Sequence, residues 1–379
     1  MGWHGFMNRR SFAGLVAAGA ASAVAAPALT DPAYADSGHR RGPRRKGPIV
    51  VGHRGASGYR PEHTLAAYTL AARMGADFIE PDLVITKDGV LVCRHEPEIG
   101  GTTDVAERPE FASRKTTKSL DGVPVTGWFA EDFTLAELRT LRAVERLPEL
   151  RQENTAYDGL WQIPTFEEVL KLREKLSREL GRVIGVYPET KHPTYFREMG
   201  NPLEERLVRL IRRFRLDSPK APIFIQSFEL QNLIDLRTEM RVKAPLVFLA
   251  TVKGTPYGDT RSYDQLLSRS GMKEWAKYID GVGPDTKRVI AWNSDGTLGK
   301  PTSLVADAHA NGLTVCPWTV RAENTFLPAD YRIGTNPADY GRVLDFFAQL
   351  WKTGIDGIFT DNPDLGVLSR ELTLGIEAP

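Results

Sequence analysis

Downstream of residue 48 the chain alternates short apolar, β-branched runs with stretches whose apolar positions recur at helical spacing. That alternation is the pattern of a βα fold with a parallel sheet. The apolar runs predict strands at 49–53, 78–85, 183–189, 223–228, 246–251, 279–283, 314–319 and 357–360, and eight parallel strands close a barrel. Helices are expected near 64–75, 165–180, 203–215, 229–240, 302–312 and 339–353, with Thr165 and Glu168 forming a capping box at the start of the second.

One run breaks the alternation. Residues 91–95 follow the second strand with only Thr86-Lys87-Asp88-Gly89 between them, too short a link for a parallel crossover. Asp88-Gly89 suits a two-residue type I′ hairpin turn. In that register Lys87 pairs with Val90 and Asp82 lies opposite His95 on the same face, whereas a slip of one residue turns His95 away. From 100 to 162 the chain is polar and rich in turn residues, with one helix expected at 134–142 and no strand run. It reads as an insertion over one barrel face, forming a substrate wall where barrel sites are built.

A chain of 379 residues exceeds one small core, but a barrel uses about 250 or more as a single domain, so 49–370 is read as one. Lys and Arg number 49 against 48 acids, net charge +1, which gives no case for bulk attraction to nucleic acid. Residues 1–35 stand apart. Asn8-Arg9-Arg10-Ser11-Phe12 precedes an Ala- and Gly-rich apolar run, and Ala33-Tyr34-Ala35 has the small-x-small form of a cleavage site. This reads as a twin-arginine signal for secretion, a retained anchor being the alternative. No later apolar stretch reaches the length of about 18 residues that a membrane span needs. Residues 36–48, with Arg40, Arg41, Arg44, Arg45 and Lys46, form a basic linker, either simply solvated or in contact with an anionic cell wall or lipid surface. Cys93 and Cys316, the only cysteines, lie in apolar runs and read as buried free thiols; a disulfide would need their strands side by side.

Of the seven histidines, His4 and His39 lie in the leader and linker, His309 in a helix pattern, His63 at a helix start and His192 in a loop. His53 and His95 remain, each ending an apolar strand beside acids, as candidates for general acid–base work. Glu80 and Asp82, spaced i, i+2, point to one face. Two buried carboxylates side by side are costly unless a cation joins them, and Glu189 ends another strand as a third oxygen ligand. Such a set favours Mg²⁺ or Ca²⁺ over zinc; salt bridges to Arg54 and Lys191 are the alternative. Those two cations are placed for phosphate oxygens. Gln226, Trp318 and Asp361 add polar or aromatic groups at further strand ends, each as readily structural as functional, with a cap on the turn before Pro363 as the alternative for Asp361.

Taken in order, His53-Arg54-Gly55-Ala56-Ser57-Gly58, Pro61-Glu62-His63-Thr64, Thr86-Lys87-Asp88-Gly89, Pro188-Glu189-Thr190-Lys191 and Thr360-Asp361-Asn362-Pro363 resemble the glycerophosphodiester phosphodiesterase family over about 49–368. The exported bacterial branch is the nearest in pattern, through the long insertion and through Tyr187-Pro188-Glu189 and 280–285. The resemblance implies a (βα)₈ TIM barrel holding one divalent cation through Glu80, Asp82 and Glu189, with Glu62 close by. It also implies His53 and His95 as acid–base pair and Arg54 and Lys191 on phosphate; Gln226 and Trp318 are candidates for substrate contact from their strand-end positions alone. The implied reaction is hydrolysis of small-molecule glycerophosphodiesters to sn-glycerol 3-phosphate and an alcohol. Which histidine is acid and which base stays open, with His95 favoured for protonating the leaving group. Pro81 between the strand acids and Glu96 after His95, where many members carry Asp, depart from the family pattern. The rival readings are a lyase or phosphodiesterase acting on phospholipid, hydrolysis of a teichoic acid polymer, and a non-catalytic anion-binding barrel.

Overall fold

The computed structural model describes residues 47–376; the stretches expected to be a twin-arginine signal (1–35) and a basic linker (36–48) lie, but for the linker's last two residues, outside the described residues. Eight strands alternate with helices: β1 (Ile49–His53), β2 (Phe78–Glu80 and Asp82–Ile85), β3 (Gly185–Val186 and Glu189–Thr190), β4 (Ile225–Ser227), β5 (Leu246–Ala250), β6 (Gly281–Pro284), β7 (Thr314–Val315) and β8 (Gly357–Thr360). From β1 to β7 each strand pairs in parallel with the next, and β1 also pairs with β8. Between β7 and β8 the ring closes through Asp356 N–H to Val315 O at 2.8 Å and Phe359 N–H to Pro317 O at 2.9 Å. The chain is a (βα)₈ barrel.

Prolines divide β2 and β3, because a residue without an N–H cannot donate to the ladder. The sheet continues through their carbonyls: Pro81 O accepts from Glu189 N–H at 3.0 Å and Pro188 O from Gln226 N–H at 2.9 Å. The helices Leu65–Arg73, Phe166–Glu179, Glu204–Arg213, Leu230–Thr238, Leu304–Ala310 and Val343–Trp351 occupy the expected places, and the Thr165–Glu168 capping box is formed. The helix Pro363–Leu374, which packs on Val343–Trp351, was not anticipated from the sequence.

Alternation along the strands makes two cores. Val50, Ile79, Val186, Ile225, Phe248 and Val282 face outward to the helices, while Val51, Phe78, Tyr187, Val247, Cys316 and Phe359 fill the barrel. The inner layer is an aromatic plug, with Tyr187 stacked on Phe224 at 4.8 Å and met edge-on by Phe359 at 4.9 Å. Cys93 and Cys316 are free and buried. They belong to the outer and inner cores respectively, so the sheet separates them.

Two sequence expectations need correction. The second strand does form a hairpin with Leu91–Cys93, but Leu83 pairs with Cys93 and Ile85 with Leu91. That is one residue off the expected register, and it sets Arg94, whose N–H donates to Asp82 O at 3.1 Å, where His95 was expected. The turn is a three-residue loop closed by Thr86 N–H to Val90 O at 3.0 Å. The insertion holds it open, with Lys87 N–H bonded to Phe133 O at 2.8 Å and Leu135 N–H to Asp88 Oδ1 at 2.9 Å. Secondly, the insertion has strands of its own, Thr116–Leu120 and Val123–Gly127. Their two-residue turn puts Asp121 (φ 49°) and Gly122 (φ 81°) in the left-handed region. The type I′ turn expected at Asp88-Gly89 is therefore built at Asp121-Gly122. The insertion's helix is also shorter than expected, at Leu135–Leu138.

Candidate active site

Two residues beyond the aromatic plug the inward-facing positions turn polar. His53 follows Val51, Glu80 follows Phe78, Glu189 follows Tyr187, Gln226 follows Phe224, and Asp361 follows Phe359. Strand periodicity thus carries each side chain to the C-terminal mouth of the barrel. There His53, Arg54, His95, Gln226, Trp318 and Arg321 join the three strand acids around a cavity of about 70 Å³.

Glu80, Asp82 and Glu189 bring one carboxylate oxygen each to within 4.8 Å of one another, all three buried. Burial and the neighbouring Asp82 push the Glu80 carboxyl well above its ordinary range. Burial likewise lifts Glu189 to about 8, against the pull of Lys191. Asp82 goes the other way: burial opposes ionisation, but the His63 hydrogen bond and nearby cations hold its pKa well down. Asp82 Oδ1 and Gln226 Oε1 are buried without a hydrogen-bond partner among the described residues. Converging carboxylates with an orphaned oxygen, all hard donors, fit a divalent cation, and these three residues could hold one. Glu62 stands outside this group: its Oε2 accepts from Arg54 at 2.9 Å and Arg146 at 2.8 Å.

Arg54 sits in the left-handed region, φ 57°, a strained conformation for a residue with a Cβ. That backbone aims its N–H at Glu80 Oε2, 2.7 Å away. Its guanidinium lies between Glu62 and Asp82, with Nε 3.4 Å from Asp82 Oδ2 and buried without a hydrogen bond among the described residues. Lys191 Nζ is 3.0 Å from Glu189 Oε1 and 3.5 Å from His95 Nε2. Gln226 donates to Glu80 Oε1 at 3.3 Å. Trp318 stands edge-on to Phe228 and donates to Gly283 O at 2.8 Å.

Both histidines reach the cavity, by different means. His53 is held by Asp361, Nδ1 to Oδ1 at 2.6 Å, while Asp361 Oδ2 accepts from Arg151 at 2.6 Å and Arg321 at 2.8 Å. Burial, with Arg54 alongside, lowers the His53 pKa to about 4 although Asp361 opposes it. His95 arrives despite the shifted register because the strand ends at Cys93, and beyond a strand's end the alternation of faces no longer applies. Its Nδ1 lies 2.8 Å from Glu96 Oε1, and burial with Arg54 and Lys191 lowers its pKa to about 3. Both rings are therefore neutral near pH 7 and able to accept a proton. An anion in the cavity would raise both values and let one donate.

Reading the sequence undervalued Asp361 and passed over Arg321, Arg151 and His63. Asp361 carried a usable signal, since it lies two positions past Phe359 on the same face. His63 is buried between Tyr68 Oη at 2.7 Å and Asp82 Oδ2 at 2.9 Å; nothing in the primary pattern points to Asp82 as its partner.

The Glycerophosphoryl diester phosphodiesterase family model matches residues 53–365. A glycerophosphodiester phosphodiesterase of Arabidopsis thaliana is 36% identical over 324 residues, covering 82% of this chain and 82% of that protein. One of Haemophilus influenzae is 30% identical over 346 residues, covering 84% and 88%. Among solved structures, a glycerophosphoryl diester phosphodiesterase described as putative, from Silicibacter pomeroyi, superposes with TM-score 0.61 at 22% identity, covering 90% of this chain and 98% of that one. An Oleispira antarctica phosphodiesterase in complex with the product sn-glycerol-3-phosphate gives TM-score 0.52 at 19% identity, covering 86% and 97%. With its barrel, its acidic group and a family match over most of its length, the chain belongs to the glycerophosphoryl diester phosphodiesterase family and is an enzyme of that class.

Proposed function

We propose that the chain hydrolyses small-molecule glycerophosphodiesters to sn-glycerol 3-phosphate and an alcohol, with His53 and His95 as acid–base pair and with one divalent cation, Mg²⁺ or Ca²⁺, held by Glu80, Asp82 and Glu189. The observation that carries this reading is the convergence of three buried carboxylates, two imidazoles and Arg54 on one cavity, with Lys191 against Glu189 and His95. A divalent cation bound there supplies charge neutralisation and polarisation of phosphoryl oxygens. Arg54 and Lys191 bind non-bridging oxygens and hold the charge of the transition state. One imidazole takes the proton of the nucleophile, water or the substrate's own glycerol hydroxyl, and the other returns a proton to the leaving oxygen. Asp361 keeps the His53 ring oriented with Nε2 toward the cavity. Gln226 and Trp318 line the substrate side.

The twin-arginine motif supports export of the domain 49–370 after cleavage near Ala35, and the basic linker supports contact with an anionic surface. The deciding experiment measures sn-glycerol 3-phosphate release from glycerophosphocholine by the purified chain with Mg²⁺, with Ca²⁺ and with EDTA, alongside His53→Ala. Cation-dependent release that is lost in the variant is expected. No release under any cation from folded protein would overturn the proposal and shift attention to polymer or lipid diesters.

A further inference from the structure

The reaction leaves a set of charged side chains on the cavity rim without a role. His192 occupies the left-handed region, φ 45°, and its ring is gripped from both sides. Nδ1 is 2.6 Å from Asp121 Oδ2 and Nε2 is 2.9 Å from Glu96 Oε2. The other oxygen of Glu96 is the one 2.8 Å from His95 Nδ1. Four side chains thus form an unbroken series from the cavity to Asp121. They come from three segments remote in sequence: the loop after Leu91–Cys93, the loop after β3, and the tip of the inserted hairpin.

That hairpin has little to hold it in place. Within 116–127 only Leu120 and Gly127 are buried, and a two-stranded ribbon is marginal by itself. Leu120 and Val125 seat its inner side on the core, and two polar anchors complete the placement: Lys118 Nζ, 2.8 Å from both Glu131 and Asp132, and Asp121 on His192. Burial opposes charging His192, but the hydrogen bonds to Asp121 and Glu96 raise its pKa to about 9, so it stands as a cation between two carboxylates.

We propose that the 116–127 hairpin is a positioning element for His95, acting through Asp121, His192 and Glu96. The inference rests on His95 being half of the acid–base pair. Fixing Glu96 between two imidazoles keeps the His95 Nδ1 proton on the Glu96 side, which leaves Nε2 to face Lys191 and the cavity. A merely structural rim network would affect stability, as surface ion pairs do weakly, and would leave turnover alone.

The test compares kcat and KM for glycerophosphocholine, at saturating cation, in the full chain carrying Asp121→Asn, Asp121→Glu, His192→Gln or both Asp121→Asn and His192→Gln. Val123→Ala, an uncharged change at the exposed tip, serves as control. Asp121→Asn is expected to lower kcat roughly tenfold with KM little changed. Asp121→Glu should restore kcat, and Asp121→Asn should add nothing once His192 is Gln. Unchanged kcat in both Asp121→Asn and His192→Gln, or an equal loss in Val123→Ala, overturns the positioning role. His95→Ala separates the two levels. If it keeps wild-type turnover, the acid–base reading itself falls; if it is inactive while Asp121→Asn is fully active, only the hairpin's role falls.

Discussion

His53 and Asp361 are 308 positions apart in sequence, and their Nδ1 and Oδ1 atoms are 2.6 Å apart in the barrel. Adjacency of β1 and β8 makes the pair. With Nδ1–H donated to Asp361, the Nε2 lone pair is presented to the cavity, the arrangement a carboxylate imposes on a working imidazole. Asp361→Asn should therefore lower kcat by roughly 10²-fold or more with only a small change in KM. It should also lower the melting temperature, since Arg151 and Arg321 lose a buried partner. Steady-state kinetics with a parallel melt checks both, and a variant with full kcat would remove the orienting role.

Glu80, Asp82 and Glu189 resist ionising together in a buried site, so a cation that pairs with all three should stabilise the fold. At a hundredfold excess over its Kd, such a ligand contributes about 2.7 kcal/mol. Thermal melts with and without Mg²⁺ or Ca²⁺ should show an upward shift that EDTA reverses. Glu80→Gln should abolish the shift while the cation-free protein still folds, since the amide oxygen can keep the Arg54 N–H bond and one of three converging carboxylates has gone. A Glu80→Gln protein that keeps the full shift would place the cation elsewhere.

His192 gives a stability change of definite sign. Its folded pKa of about 9 lies above the unfolded value of about 6.5. Its contribution is therefore fully present below pH 6.5 and is lost as pH rises through about 9. Partial exposure of Glu96 and Asp121 screens the pairs, so roughly 1 kcal/mol is expected. Denaturant unfolding of the parent and of His192→Gln should differ at pH 6 and converge near pH 10. A difference that does not change with pH would contradict this.

Cys93 and Cys316 are buried on opposite sides of the barrel sheet. A thiol reagent should label neither in the native protein and both after denaturation, and a reductant should leave the melting temperature unchanged. Fewer than two thiols in the denatured, unreduced chain would reveal oxidation.

Local patterning was enough to define the eight strands, six of the outer helices and the strand-end residues His53, Glu80, Asp82, Glu189 and Gln226, because barrel periodicity maps position along a strand directly onto facing. Three things needed the folded molecule. The register of the Leu91–Cys93 hairpin was decided by contacts to Phe133 and Leu135, which a local Asp-Gly signal cannot foresee. The insertion hairpin at 116–127 alternates too weakly to stand out, since only Leu120 and Val125 of its apolar residues reach the core and Lys118 and Asp121 supply the rest of its anchoring. The partners of each charged group, Asp361 for His53, Asp82 for His63, Arg146 for Glu62, depend on which strand ends and loops come together when the ring closes. Apolar spacing is a property of neighbouring residues, so the chain alone determined the barrel and its inward positions. Pairing of charges is a property of distances between remote segments, and only closure of the barrel set those distances.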